Sequence, residues 1–368
     1  MKLTVNRNTM AEALQAVMPF VTTKSPIAIL KYAKCTTKGK RMKIEANDTQ
    51  GGIVRYMELI DCDADGSFLV NAADMFRLVS KITAPEINIE AEGESLSMTY
   101  GKATADFSVP AADDYPSFSV NDDESTTLTV PAVWISSCIA IGQDFVMDDN
   151  LKPQLCAIYC YVKDGRFGFC ATDTRSLATD SWEMPGCDAD GAFLIMKNVF
   201  GPLRMMCAKN DNGVTVTFND KHVTYRCGDT IIQSVQASGR YPDFNRVIPN
   251  THNVECKAAK SAILEPLSRV AMFCEVSKCV QFAFSPFDVT MTVENLTDGK
   301  RSVEHADVAE CTGELTIGIN ADNIIKCLKA YDSADVTIEM TDASRPIVVR
   351  SEENPNMTVL SMPMQVAG

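Results

Sequence analysis

The side chains that could do covalent or metal chemistry are spread thinly along this sequence. Its fourteen cysteines occur singly, the closest pair being Cys156-x3-Cys160, and no Cys-x-x-Cys is present. Thiolate catalysis or zinc binding needs cysteines grouped with one another or with imidazoles at short spacing. The three histidines, His222, His252 and His305, have no such neighbours. Strand alternation would place Cys156 and Cys160 on one face, as small buried hydrophobes in a reducing compartment. There is no glycine-rich phosphate loop and no Gly-x-Ser-x-Gly elbow. Asp173 and Arg175 in "ATDTRS" are a conspicuous acid–base neighbourhood, but a carboxylate beside an arginine reads as a structural ion pair. With so few histidines to move protons, the residues point away from an enzyme.

What the polar residues can do together is electrostatic. The formal net charge over 368 residues is −14, which by itself argues against nucleic acid as a partner. The charge is segregated, however. Apolar spacing predicts helices over 6–19, 72–82, 131–147, 196–209, 257–274 and 321–332, with Asn71 and Asn320 as N-caps. Pro266 should kink the fifth of these or delay its start. The six segments hold eleven Lys and Arg against six Asp and Glu, a net of +5, so the remainder carries −19. A basic helical face inside an acidic shell can hold a polyanion through phosphate contacts.

Those helices recur with the strands that precede them. "DYPSF" at 114–118 returns as "RYPDF" at 240–244, and "LTV" at 3–5 returns at 128–130, with "VEC" at 254–256 as a third version. "GSFLVNAADMFRLVSKI" from Gly66 is echoed by "GAFLIMKNVFGPLRMM" from Gly191, and again by "ELTIGINADNIIKCLKAY" around Ile319. The offset is about 125 residues each time, a domain-sized period. The fold class expected is α+β: three tandem copies, 1–124, 125–250 and 251–368, each with two helices and about eight strands in antiparallel sheets. The linkers fall at 119–127 and 247–253. No apolar run reaches membrane-spanning length. "MKLTVNRNTMAEAL" reads as strand and helix rather than as a signal peptide, so a cytoplasmic protein is expected.

The three copies, "ATDTRSLA" at 171–178, "GRYPDFNRVIP" at 239–249 and "VLSMPMQV" at 359–366 resemble the bacterial DNA polymerase III beta-subunit family, over essentially the whole chain. The resemblance implies a head-to-tail dimeric ring with pseudo-sixfold symmetry, a non-enzymatic clamp whose helices face an encircled DNA duplex without sequence specificity. No cofactor is implied. The DNA-facing residues implied are Lys24, Arg77, Lys81, Lys197, Arg204, Lys209, Lys257, Lys260, Lys326 and Lys329. Partners, the replicative polymerase and clamp loader among them, would insert short peptides rich in Gln, Leu and Phe into a hydrophobic groove. Carried over by position, that groove includes Leu155, Thr172, Leu177, Pro242, Arg246, Val247, Leu360, Met362, Pro363 and Met364. Thr174-Arg175-Ser176 departs from the family's Gly-His-Arg, and Arg175 is expected to supply a cation at the rim. The ring seam would join the first domain of one chain to the third of another, through Phe107 on "ATADFSV" and through Met272 and Phe273. The alternative is a protein-only scaffold that binds partner peptides without encircling DNA.

Overall fold

The computed structural model describes residues 1–22, 27–116, 118, 120, 125–149, 151–208, 213–274, 277–295 and 299–365. Among these residues, six α-helices carry the apolar stripes. Helix α1, Arg7–Val17, starts where Asn6 Oδ1 accepts from the amides of Asn8 (2.9 Å) and Thr9 (3.2 Å), and it buries Met10, Leu14 and Val17. Helices α2, Ala72–Val79, and α6, Ala321–Lys329, are capped by Asn71 and Asn320, as their sequences predict. Between these lie α3, Ala132–Gly142, α4, Phe200–Ala208, and α5, Lys260–Val270. Pro266 does not delay α5: it lies buried inside that helix, where it forgoes one backbone hydrogen bond.

The strands form four antiparallel sheets, and two of these cross the boundaries between sequence copies. In the first compact unit, residues 1–136 and 195–237, copy 2's strand Thr230–Val235 pairs with copy 1's Gly51–Glu58, placing Ile231 opposite Val54 and Ile232 opposite Ile53. An eight-stranded sheet results. In the second unit, residues 137–194 and 238–368, copy 2's Ser176–Glu183 pairs with copy 3's Thr358–Ser361, giving a nine-stranded sheet. Each unit also holds a five-stranded sheet. That of the first unit ends at Ala103–Ser108, and that of the second ends at Lys300–Asp307.

Each unit has a dry core. In the first, Val5, Leu14, Leu69 and Val70 are sealed from water. In the second, Phe282, Leu267, Ile324 and Tyr331 are equally buried. The Tyr331 hydroxyl donates to the carbonyls of Val349 (2.8 Å) and Met357 (3.1 Å), so its polar end is satisfied. Ten of the fourteen cysteines are buried. Burial pushes the thiols of Cys35, Cys170 and Cys327 up, which keeps them protonated and inert at neutral pH. Cys156 closes the turn Pro153–Cys156 while Cys160 lies in the strand Ala157–Lys163, so the two do not share a strand face as expected.

Candidate functional site

The expected groove residues all fall in the second compact unit, and strand register brings several of them together. Thr172 opposes Leu177 on the neighbouring strand, and Leu177 opposes Leu360 on the next. These three make a row across three adjacent strands, apolar but for the Thr172 hydroxyl, which donates to the Ser176 carbonyl at 2.7 Å. Leu177 (2 % exposed) and Leu360 (1 %) are its floor rather than its walls. Leu155, also buried, accepts the Met147 amide (2.8 Å) just before the first of the sheet's strands that follow it.

The segment "RYPDF" at 240–244 borders this row. Tyr241 stacks on Tyr159 with centroids 4.6 Å apart, and its hydroxyl donates to the Cys170 carbonyl (3.2 Å). This pins the chain, after which Pro242, Arg246 and Val247 stand exposed. Arg246 is held by Asp243 at 2.9 Å. Beyond Ser361 the chain leaves one sheet and joins another: Pro363 and Met364 pair with Ile319 and Gly318. Met362, Pro363 and Met364 are half-buried, so each keeps part of its apolar surface exposed.

The turn between Thr172 and Ser176 is held by one carboxylate. Asp173 Oδ1 accepts from the amides of Arg175 (2.9 Å) and Ser176 (2.7 Å) and from the Ser176 hydroxyl (2.9 Å). Its Oδ2 lies 2.6 Å from Lys326 Nζ on α6. Burial pushes the Asp173 carboxyl up, but the Lys326 ammonium and the turn amides outweigh it and bring it below its ordinary value. Thr174 has φ +74°, a left-handed conformation costing a β-branched residue about 1–2 kcal/mol. A glycine, the residue expected there by family resemblance, would avoid that cost. The Arg175 side chain is exposed, and its carbonyl accepts the Met362 amide at 2.8 Å.

The expected DNA-facing cations do not form one uniform set. Lys24 and Lys209 lie outside the described residues. Arg77 pairs with Asp74 on its own helix, and Lys81 lies exposed in the turn past α2. Lys257 is a strand residue, since the alternation of Val254–Ala259 runs through it, and it pairs with Glu255 and Glu352. Helix α5 therefore starts three residues later than its apolar spacing suggests. Lys260 donates to the Tyr331 carbonyl at 2.6 Å, and Lys326 is taken by Asp173. Lys197 is exposed in a turn before α4. Arg204 and Lys329 are exposed on α4 and α6 and make no ion pair among the described residues. Sequence reasoning missed the Asp173–Lys326 pair because 153 positions separate its members.

A polar cavity of about 310 Å³ lies beside α6, lined by Asp144, Asp180, Trp182, Lys329 and Asn354 among others. Burial pushes the Asp180 carboxyl up to about 6, partly offset by the Ser181 amide at 2.7 Å and by Arg166. The folded chain thus holds this proton between pH of about 4 and about 6, where the unfolded chain has released it. Asp180's contribution to stability is therefore expected to fall as pH rises through that window and to level off above it. Denaturant midpoints measured from pH 4 to 7 check this, with Asp180→Asn expected to remove that part of the decline. Parallel curves for the two proteins would show that Asp180 does not titrate there.

The family profile described as "DNA polymerase III beta subunit, N-terminal domain" matches residues 1–119, and the C-terminal domain profile of the same subunit matches 245–365. The chain is similar to the beta sliding clamp of Caulobacter vibrioides, with 23 % identity over all of both chains. It is 21 % identical to that of Escherichia coli K12, again over all of both. Among solved structures, the DNA polymerase III beta subunit of Pseudomonas aeruginosa superimposes with a TM-score of 0.94 at 19 % identity, covering both chains completely.

Proposed function

Because the chain belongs to the DNA polymerase III beta-subunit family, we propose that two copies close head to tail around duplex DNA and carry partner proteins in the groove beside Met362. Its function is that of a sliding clamp, the processivity factor of DNA replication, which tethers a polymerase without itself catalysing synthesis.

The observation that carries the ring is the reuse of one joint. Gly51–Glu58 in copy 1 pairs with Thr230–Val235 in copy 2. The equivalent strand of copy 2, Ser176–Glu183, pairs with Thr358–Ser361 in copy 3. Advancing once more by the same period gives Lys300–Asp307 in copy 3, and its counterpart is Ala103–Ser108 in copy 1. Both are open sheet edges in a single chain. An open edge is a template for another strand. A second chain offers the matching edge, and a heterologous contact of this kind forms a ring when its rotation closes. Phe107 lies on one edge, and Met272 and Phe273 sit in the turn packed against the other.

Within this ring, exposed cations such as Arg204 and Lys329 meet phosphates, and Lys81 and Lys197 add to them. These contacts carry no base readout, because a clamp must slide. The polymerase and the clamp loader dock through short Gln/Leu/Phe-type peptides, laid over the Leu177–Leu360 floor and against the half-buried methionines. Flexible thioethers suit a surface that serves several partners. The copies 1–124, 125–250 and 251–368 are the repeat units of the ring. The cytoplasm is its place of work; no helix among the described residues is long and apolar enough to cross a membrane.

The experiment is topological. Protein loaded onto nicked circular DNA is expected to remain bound in high salt and to be lost once the circle is linearised. Equal loss from circles and from linear DNA would favour a scaffold that does not encircle DNA.

A further inference from the structure

Lys326 projects from a helix whose other cation, Lys329, is exposed to solvent, yet its own side chain is only 19 % exposed. It lies over the Phe145 ring, 5.1 Å from the centroid, and 2.6 Å from Asp173. The other oxygen of Asp173 gathers three donors of the 173–176 turn. The end of that turn accepts the Met362 amide. A continuous set of polar contacts therefore runs from α6, through one carboxylate, to the residue that opens the groove's C-terminal segment.

We propose that Lys326 is a positioning residue of the peptide groove and not a phosphate contact. The inference rests on the groove reading given above. Its physical basis is pre-organisation. The turn contains a strained threonine at φ +74°, so it does not keep this shape by its own preference. Two features oppose relaxation: the amides converging on Asp173, and the ammonium that compensates the half-buried carboxylate. Removing the ammonium leaves that charge unpaired, which favours a rearranged turn. The Met362 amide then loses its fixed acceptor, and the fraction of molecules with a formed groove falls. Apparent peptide affinity falls in the same proportion.

The test uses the full chain, a fluorescent Gln/Leu/Phe-type peptide and, separately, a duplex oligonucleotide. Lys326→Met keeps the length and the contact with Phe145 but removes the charge. It is expected to weaken the peptide about tenfold, corresponding to a roughly 10 % formed groove, and to speed amide exchange at Met362. The salt slope of DNA binding should be unchanged, and Lys326→Arg should restore most of the peptide affinity. Unchanged peptide affinity with a DNA salt slope lower by about one would return Lys326 to the phosphates and overturn the proposal. If Lys326→Met fails to fold, Lys326→Arg and Asp173→Asn supply the comparison, and normal peptide binding by Asp173→Asn with normal Met362 exchange sinks the idea. Should Met362→Ala alone leave peptide binding intact, the groove reading itself fails, whatever Lys326 does.

Discussion

Replacing Met362 and Met364 together by alanine is expected to weaken a Gln/Leu/Phe-type peptide by one to two decades while the chain stays folded. Both side chains are half-buried in the chain itself, and Met364 stands opposite Gly318, which has no side chain to cover it. Covering a methionine fully is worth about 1.5–3 kcal/mol, so the half left for a partner is worth about half that for each residue. Two such residues together contribute about 1.5–3 kcal/mol, and 1.4 kcal/mol is tenfold in affinity. Leu177 and Leu360 would be poor choices for the same test, because each is sealed in the core and its loss would damage the fold. Fluorescence anisotropy with thermal melting as the control makes the measurement. Undiminished affinity in a folded double variant would place the partner site elsewhere. A lost peptide together with a collapsed melting temperature would mean that this segment only closes the core.

A larger effect is expected at the proposed seam. Met272 is 82 % exposed and Phe273 39 % exposed in the single chain, which is costly apolar surface for an isolated molecule. They follow α5 and pack beside the open strand Lys300–Asp307, where Arg269 and Glu304 form a bidentate pair. If a second chain buries them, truncating both to alanine removes about 3–6 kcal/mol of packed contact. A ring of two chains has two such seams, so the dimer dissociation constant should then rise by at least roughly two to four decades. Sedimentation at micromolar protein should show monomers of the variant beside dimers of the parent, with similar unfolding of the monomer itself. A variant that remains dimeric would exclude these residues from the seam, and a parent chain that is monomeric at that concentration would remove the ring.

Much of this was legible in the residues because it is local or periodic. The repeated strand–helix junctions and the asparagine caps at 71 and 320 are short-range signals, and the structure follows them. Asn6 uses the same chemistry but stood inside the predicted first helix, one residue before its true start. At Lys257 two periods overlap: alternation from Val254 to Ala259 and helical spacing from Lys260 onward both fit, and strand pairing with Asp335–Met340 decides for the strand. Long-range pairing was not legible. A period of about 125 residues reveals copies, but not that their edge strands fuse into sheets spanning two copies. Nor does it reveal that a lysine of the basic helices is held by an aspartate in the 173–176 turn.

The fused sheets bear on what covalent continuity contributes. Where copy 1 meets copy 2, five residue pairs from Thr230–Arg55 to Ser234–Gly51 zip the two together by contacts separate from the peptide bonds of the linker that joins them in sequence. A protease nick in that linker would therefore cut the chain without parting the pieces. The fragments would remain clasped by backbone hydrogen bonds and by the apolar surface behind them, as two halves of a split protein do. The same holds where Ser176–Glu183 meets Thr358–Ser361. On this view the linkers would act as tethers that raise the local concentration of neighbouring copies during folding, and the paired strands would hold the copies together afterwards.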